Sequence, residues 1–323
     1  MTASAADVKR WAAELDFADC GITTPAPSDR PEMLDRWLER GYGGTMRYIH
    51  RQARRRKDPQ LIDERARSVI VVLENYYYPE EADTIEYAGP HAARSDAPPR
   101  IARYARGLDY HPVMQARLGR LANRLLAGGA SLARVYADAG PVPERELAER
   151  AGLGWIGKNS MLIRPGAGSW FFIGSIFTDL ELAADPPFAT DHCGTCTRCL
   201  DACPTSAFVE PRVLDATRCI SYLTIEQKGP IPGELEEKLD GWVFGCDVCN
   251  DVCPWNQRFA TSSAVAEYRP RGHLEGAEPD QFEEMSEEEF TRRYGSTPLA
   301  RPGLAGMRRN FRAALGRRTP NSA

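Results

Sequence analysis

Residues 193–204 read CGTCTRCLDACP, placing Cys193, Cys196, Cys199 and Cys203 at intervals of three, three and four, with Pro204 after the last. This is the bacterial ferredoxin run. Three thiolates this close wrap three corners of a 4Fe-4S cube, and the fourth, carried away by the chain, ligates the other cluster of a two-cluster protein. A second cluster is therefore expected from the first motif. Residues 246–254, CDVCNDVCP, supply Cys246, Cys249 and Cys253 before Pro254, one cysteine short of a full run. Cys219, isolated between the motifs, makes up the number. The expected ligand sets are Cys193, Cys196, Cys199 and Cys253 for one cluster, and Cys203, Cys219, Cys246 and Cys249 for the other. Zinc competes for CxxC pairs, but zinc sites favour two separated pairs and need no Cys-Pro crossover. The ninth cysteine, Cys20, is expected to be a buried apolar thiol.

Working outward, the first thirty residues contain Lys9, Arg10, Asp16 and Asp19 and no apolar stretch of signal-peptide length, and no later uncharged run reaches about 18 residues. Arg54-Arg55-Arg56 leads into Lys57-Asp58-Pro59, not into the hydrophobic segment of a twin-arginine signal. A cytoplasmic protein with no membrane partner is expected. Cytosolic thiols stay reduced, so nine cysteines in such a chain point to metal and not to disulfides. The apolar share of 42% and charged share of 27% are those of a folded protein and exclude a disordered tail. A net charge of −4 argues against coating nucleic acid non-specifically, while leaving local basic patches free to grip a folded RNA.

Before the cysteines, residues 5–16 and 31–40 read as amphipathic helices, the second with Ser28 or Asp29 as its cap and Pro31 in its first turn. Val69 to Leu73 is a β-branched run of the kind buried on both faces of a sheet, which implies helices on either side. Residues 112–127 have helical apolar spacing and stop at Gly128-Gly129. Leu132 to Ala137, Ser160 to Ile163 and Trp170 to Phe177 read as strands, with a short helix near 143–151. The mixture implies an α/β domain over 1–184, a cysteine-dense module over 185–260 and a helical extension over 261–323, where Ser286-Glu287-Glu288-Glu289 carries a capping-box signal.

Three stretches then resemble one family. They are YADAGPVPERELAERAGLGWIGKNSMLI at 136–163, RYARGLDYH at 103–111 and GSWFFIG at 168–174. With the cysteine pattern, these stretches resemble the epoxyqueuosine reductases over residues 30 to 260. The resemblance implies a cobalamin-binding α/β domain like that of reductive dehalogenases, a two-cluster bacterial ferredoxin-like module and a short helical C-terminal region. It also implies reduction of the epoxide of epoxyqueuosine at the tRNA wobble position to queuosine, with electrons from an external low-potential donor passing through two 4Fe-4S clusters to cobalamin. The partners it implies are the modified tRNA and that donor, the chain being read as a monomer.

By the same resemblance Asp138 is the proton donor, because an alkoxide is a poor leaving group and the epoxide oxygen must be protonated. The competing reading is an Asp closing the turn before Gly140-Pro141. Cofactor contacts are carried over to Lys57, His111, Asp138, Ser221 and Asp247, and a tRNA contact to Lys228. Asp109-Tyr110-His111 lacks a glycine three residues after the histidine, so it departs from the DxHxxG pattern of histidine-ligated cobalt. Arg47, Arg51, Arg54, Arg55 and Arg56, and again Arg308, Arg309, Arg312, Arg317 and Arg318, form basic groups that either meet phosphates or solvate a helix face. Gly152, Gly154 and Gly157 do not follow a strand in GxGxxG order, so a dinucleotide fold is rejected. Trp155, Trp170, Trp242 and Trp255 either line a flat cofactor or pack the core. Two rival readings are a cobalamin-dependent reductive dehalogenase and a non-enzymatic ferredoxin-type carrier.

Overall fold

The computed structural model describes residues 2–79, 99–271 and 279–315. Its centre is a four-stranded sheet of β1 (Asp19–Thr23), β2 (Ser68–Asn75), β3 (Ala133–Ala137) and β4 (Phe171–Thr178), in the order β1-β2-β4-β3 with every neighbouring pair antiparallel. The run read from Val69 to Leu73 is the heart of β2, and all of Ser68 to Glu74 is buried.

Alternation divides that strand between two cores. Ile70 and Val72 face α1 (Ala5–Glu14) and α4 (Tyr110–Ala127), packing with Val8, Met114, Leu118 and Leu121. Val69, Val71 and Leu73 face α5 (Glu144–Arg150), packing with Leu147, Ala148 and Phe177. Each such aliphatic side chain contributes roughly 1.5–3 kcal/mol by leaving water. The close fit of α4 depends on Gly174 at the middle of β4: a Cβ there would stand 2.8 Å from the Met114 methyl and 2.9 Å from Leu118 Cδ1. Helices on both faces make this an α/β domain.

Three local expectations are corrected. The helix expected from 112 begins at Tyr110, because the Asp109 carboxylate accepts the His111 N–H at 3.0 Å and caps it, and Pro112 then falls in the first turn, where no donor is needed. The helix α2 (Pro31–Glu39) has Arg30 at its cap position without a side-chain bond; Ser28 instead donates to Glu146 at 2.9 Å. Of the strand expected over 160–163 only Leu162–Ile163 forms, pairing with Trp155–Ile156, since Ser160 has φ +63 in the turn between them.

The cysteine region is stitched to this domain by Trp242–Phe244, which pairs in parallel with Arg100–Ile101. The helix Gly303–Ala314 lays Leu304, Met307 and Phe311 on Val243, Phe244 and Ile101. Ser286 caps the helix Glu287–Tyr294 through the Glu289 N–H, but the Glu289 carboxylate turns to Arg293 at 2.5 Å instead of completing the box. Arg317 and Arg318 lie outside the described residues. No described helix is long and apolar enough to cross a membrane.

Candidate functional site

Eight thiols fall into two groups. Cys199 feels the charges of Cys193, Cys253 and Cys196, and Cys253 those of Cys193 and Cys196. Cys246 feels Cys249 and Cys219, Cys249 feels Cys219 and Cys203 and, more weakly across the groups, Cys199, and Cys219 feels Cys203. Burial is the main force pushing these thiols up, Cys199 to about 11. Yet the sulfurs face donors. Cys203 Sγ accepts the Ala207 N–H at 3.3 Å, Cys219 meets the N–H groups of Ser221 and Tyr222, Cys246 that of Val248, and Cys253 those of Trp255 and Asn256. N–H groups aimed at buried sulfur suit thiolates whose protons a metal has displaced. Among the described residues no three His, Cys, Asp or Glu side chains close to the spacing of a single ion. A cube spreads its thiolates more widely than one tetrahedral ion does.

Between these thiols and the sheet lies a buried charge cluster. Arg103, 7% exposed, gives its N–H to Asp247 Oδ2 at 2.7 Å and its guanidinium to Asp251 at 2.8 Å, with the Trp170 ring 5.1 Å beneath it. Burial raises the Asp247 pKa, and Arg103 counters the shift. Both carboxylates are thus engaged within the fold.

Asp138 stands where β3 ends. Its φ of +51 turns the chain out of the sheet and leaves the carboxylate exposed. Three contacts hold it: its N–H donates to Glu144 Oε1 at 2.7 Å, its Oδ2 accepts the Tyr110 hydroxyl, and His111 Nε2 lies 3.9 Å from that oxygen. The turn that follows is tied from α3 (Arg47–Lys57), whose Arg56 donates to Gly140 O at 2.8 Å and Val142 O at 3.0 Å. Tyr110 is stacked between the rings of His111 and Phe172, at 4.1 and 4.2 Å, with Tyr104 edge-on to both Tyr110 and Phe172. The result is an exposed carboxylate at the rim of a packed aromatic cluster.

Crowding by protein and the Asp138 charge push Glu144 up to about 8, although part of its side chain reaches the surface. His111 is raised, first by its bond to Asp109 at 2.8 Å and then by the Asp109 and Asp138 charges, against the effect of burial. Burial and Asp138 push the Tyr110 hydroxyl up as well.

The structure therefore brings His111 and Asp138 together and distributes the other expected residues elsewhere. Lys57 Nζ is bound by both oxygens of Asp35, at 2.8 and 2.9 Å. Ser221 attends the Cys219 sulfur, and Lys228 is exposed beyond the helix Ile220–Ile225. Arg56 leaves the expected basic group by pointing inward, whereas Arg47, Arg51, Arg54 and Arg55 stay exposed on one face of α3. Cys20 is half-buried in β1 and pushed up to about 12, chiefly by burial. Trp170 and Trp242 are core residues. Tyr110 and Glu144 stand inside the quoted motifs, but no spacing rule marks them for the site, and Arg56, expected in the basic group, instead ties the turn after Asp138. A half-open cleft of about 540 Å³, lined by Arg30, Glu149, Trp155, Asp185 and Arg212, shares no residue with the Asp138 group.

Comparison with known proteins bears on both parts. Residues 192–256 match the family model of a 4Fe-4S double cluster binding domain, and residues 56–139, which include Asp138, match that of epoxyqueuosine reductase QueG. The chain is 42% identical over 315 residues to the epoxyqueuosine reductase of Pseudomonas aeruginosa, covering 97% of this chain and 85% of that protein. It is similar in structure to an epoxyqueuosine reductase solved with an epoxyqueuosine-modified tRNA-Tyr stem loop, at TM-score 0.84 and 29% identity, over 96% of this chain and 80% of that one. It is likewise similar to the Bacillus subtilis epoxyqueuosine reductase solved with an aspartate-bearing catalytic loop swung out of the active site, at TM-score 0.81 and 28% identity, with the same coverage.

Proposed function

The chain belongs to the epoxyqueuosine reductase family, and on that premise we propose that it reduces the epoxide of epoxyqueuosine in tRNA to the alkene of queuosine, with Asp138 as proton donor. The balance is two electrons and two protons per epoxide, the oxygen leaving as water. An external low-potential donor supplies the electrons, and the reaction takes place in the cytoplasm with the tRNA. The observation that carries this reading is Asp138, its backbone N–H held by Glu144 and its carboxylate by the Tyr110 hydroxyl, at the edge of the aromatic cluster.

The two groups of thiols fit two cubes: Cys193, Cys196, Cys199 and Cys253 hold one, and Cys203, Cys219, Cys246 and Cys249 the other. The aromatic cluster of Tyr110, Phe172 and Tyr104 would give a corrin an apolar wall beside Asp138. Cobalamin bound there supplies a strongly reducing cobalt centre fed one electron at a time by the clusters. His111, facing Asp138, contacts cofactor or substrate, and the exposed Lys228 meets tRNA, while Lys57 and Asp247 are engaged by Asp35 and Arg103.

Asp138 delivers its proton to the epoxide oxygen as the first C–O bond breaks, leaving a hydroxyl in place of an alkoxide, and that hydroxyl departs as water, with the second proton drawn from solvent, when the second C–O bond breaks. Its φ of +51 aims the carboxylate away from the sheet, and the Tyr110 hydroxyl fixes which oxygen remains free. Glu144, pushed up by burial and by the Asp138 charge, fixes the donor's backbone through the Asp138 N–H.

The test is anaerobic reconstitution with iron, sulfide and cobalamin, followed by mass analysis of the wobble nucleoside of epoxyqueuosine-tRNA. Asp138→Asn should retain iron and cobalamin and lose about 100-fold or more in turnover, the range expected for a general acid. Turnover near that of the unaltered protein would remove Asp138 from the mechanism.

A further inference from the structure

The segment GLGWIGKN, residues 152–159, contributes nothing to the Asp138 group, yet it is bound closely to the cysteine module. We propose that Trp155, assisted by Lys158, raises the reduction potential of the cluster held by Cys193, Cys196, Cys199 and Cys253, an inference that rests on the ligand assignment given above.

The Trp155 indole N–H donates to Cys193 Sγ at 3.4 Å. The ring is 2% exposed and is enclosed by Trp255 at 5.0 Å, His192 at 5.0 Å and Phe188 at 5.8 Å between centroids. The backbone that carries it is fixed by pairing Trp155 with Ile163 and Ile156 with Leu162. Three residues on, Lys158 Nζ donates to Gly194 O at 2.6 Å and Cys196 O at 2.9 Å, seating an ammonium in the loop between the first two cysteines. Asn159 reaches the second motif, donating to Cys249 O at 3.3 Å. One short segment of the α/β domain thus holds the cysteine module at both motifs, and one of its contacts ends on a ligand sulfur.

Reduction adds one negative charge to a cube and its four thiolates. A hydrogen-bond donor on a ligand sulfur, or an ammonium beside the loop, stabilises the reduced form more than the oxidised one, so each moves the potential upward. The aromatic enclosure takes the indole out of water, which strengthens the N–H bond it makes to the half-buried Cys193 sulfur. Cys203, Cys219 and Cys246 in the other group are met by backbone N–H groups. The indole and the ammonium accordingly raise the Cys193 cube above the potential that its backbone donors alone would give it.

The experiment is an anaerobic redox titration of the full holoprotein followed by electron paramagnetic resonance, which reads each cluster's one-electron midpoint without tRNA or turnover. Trp155→Phe removes the donor and keeps a ring in the enclosure; Lys158→Gln removes the charge and keeps donors for the two carbonyls. In each variant one midpoint should move to lower potential while the other stays, at undiminished iron content. Unmoved midpoints in Trp155→Phe at full iron content overturn the proposal. If that variant loses iron, Lys158→Gln decides, and unmoved midpoints there overturn it equally. Unaltered protein that binds no iron refutes the ligand assignment instead, a separate failure.

Discussion

The Glu144 carboxylate accepts the backbone N–H of Asp138 at 2.7 Å, from six residues further along the chain. That bond holds a non-glycine residue at positive φ, a conformation that needs local compensation. Replacing Glu144 by Ala should therefore free the turn, costing about 1 kcal/mol and lowering kcat several-fold to tenfold with little change in KM. The pH dependence has a definite sign. Glu144 rises from an ordinary 4.5 to about 8 in the fold, so between these values the folded state keeps a proton that the unfolded chain has lost. Stability from this group is full below pH 4.5 and is lost as pH rises through 8. The Tm of the holoprotein should fall less between pH 5.5 and 8.5 in Glu144→Gln than in the unaltered chain; equal falls would count against the shifted carboxyl.

Arg47, Arg51, Arg54 and Arg55 share the exposed face of a helix whose Arg56 ties the turn after Asp138. If that stripe lies on RNA phosphates, Arg51→Ala with Arg54→Ala should reduce the slope of log affinity against log salt by about 1 to 2. Arg56→Ala should leave the slope alone and lower turnover, because its partners are the carbonyls of Gly140 and Val142. A double variant with an unchanged slope in a tRNA-binding titration would show the stripe to be only a solvated face.

Thiol alkylation read by mass tests the ligand sets. In holoprotein the eight cluster cysteines should resist iodoacetamide, and Cys20, pushed up to about 12 and half-buried, should react very slowly. Chelation under reducing conditions should open eight sites. Rapid native labelling of any of the eight would strike that residue from its set.

Much of the fold and part of the site could be read directly from residue order. β2 announced itself because five consecutive apolar residues, Val69 to Leu73 and mostly β-branched, suit a strand buried on both faces. Tyr110 and Glu144 did not, since a tyrosine at a helix start and a glutamate after a turn are ordinary until the strand end carrying Asp138 is folded against them. Lys57 and Asp247 read as available charges, but Asp35 and Arg103 occupy them. The end of α4 was clear from Gly128, and its start was not, because the Asp109 cap lies outside the apolar period.

By itself the sequence determined the iron–sulfur chemistry, for a cube asks only for cysteines at spacings a short loop can close, and spacing is a property of the chain. Tertiary structure decided which carboxylate stands exposed beside the aromatic cluster, which cations are spent inside the fold and which sulfur an indole reaches. Those outcomes depend on burial and on partners tens of residues away, such as Tyr110 with Asp138 and Trp155 with Cys193, and neither distance nor dielectric is written in residue order.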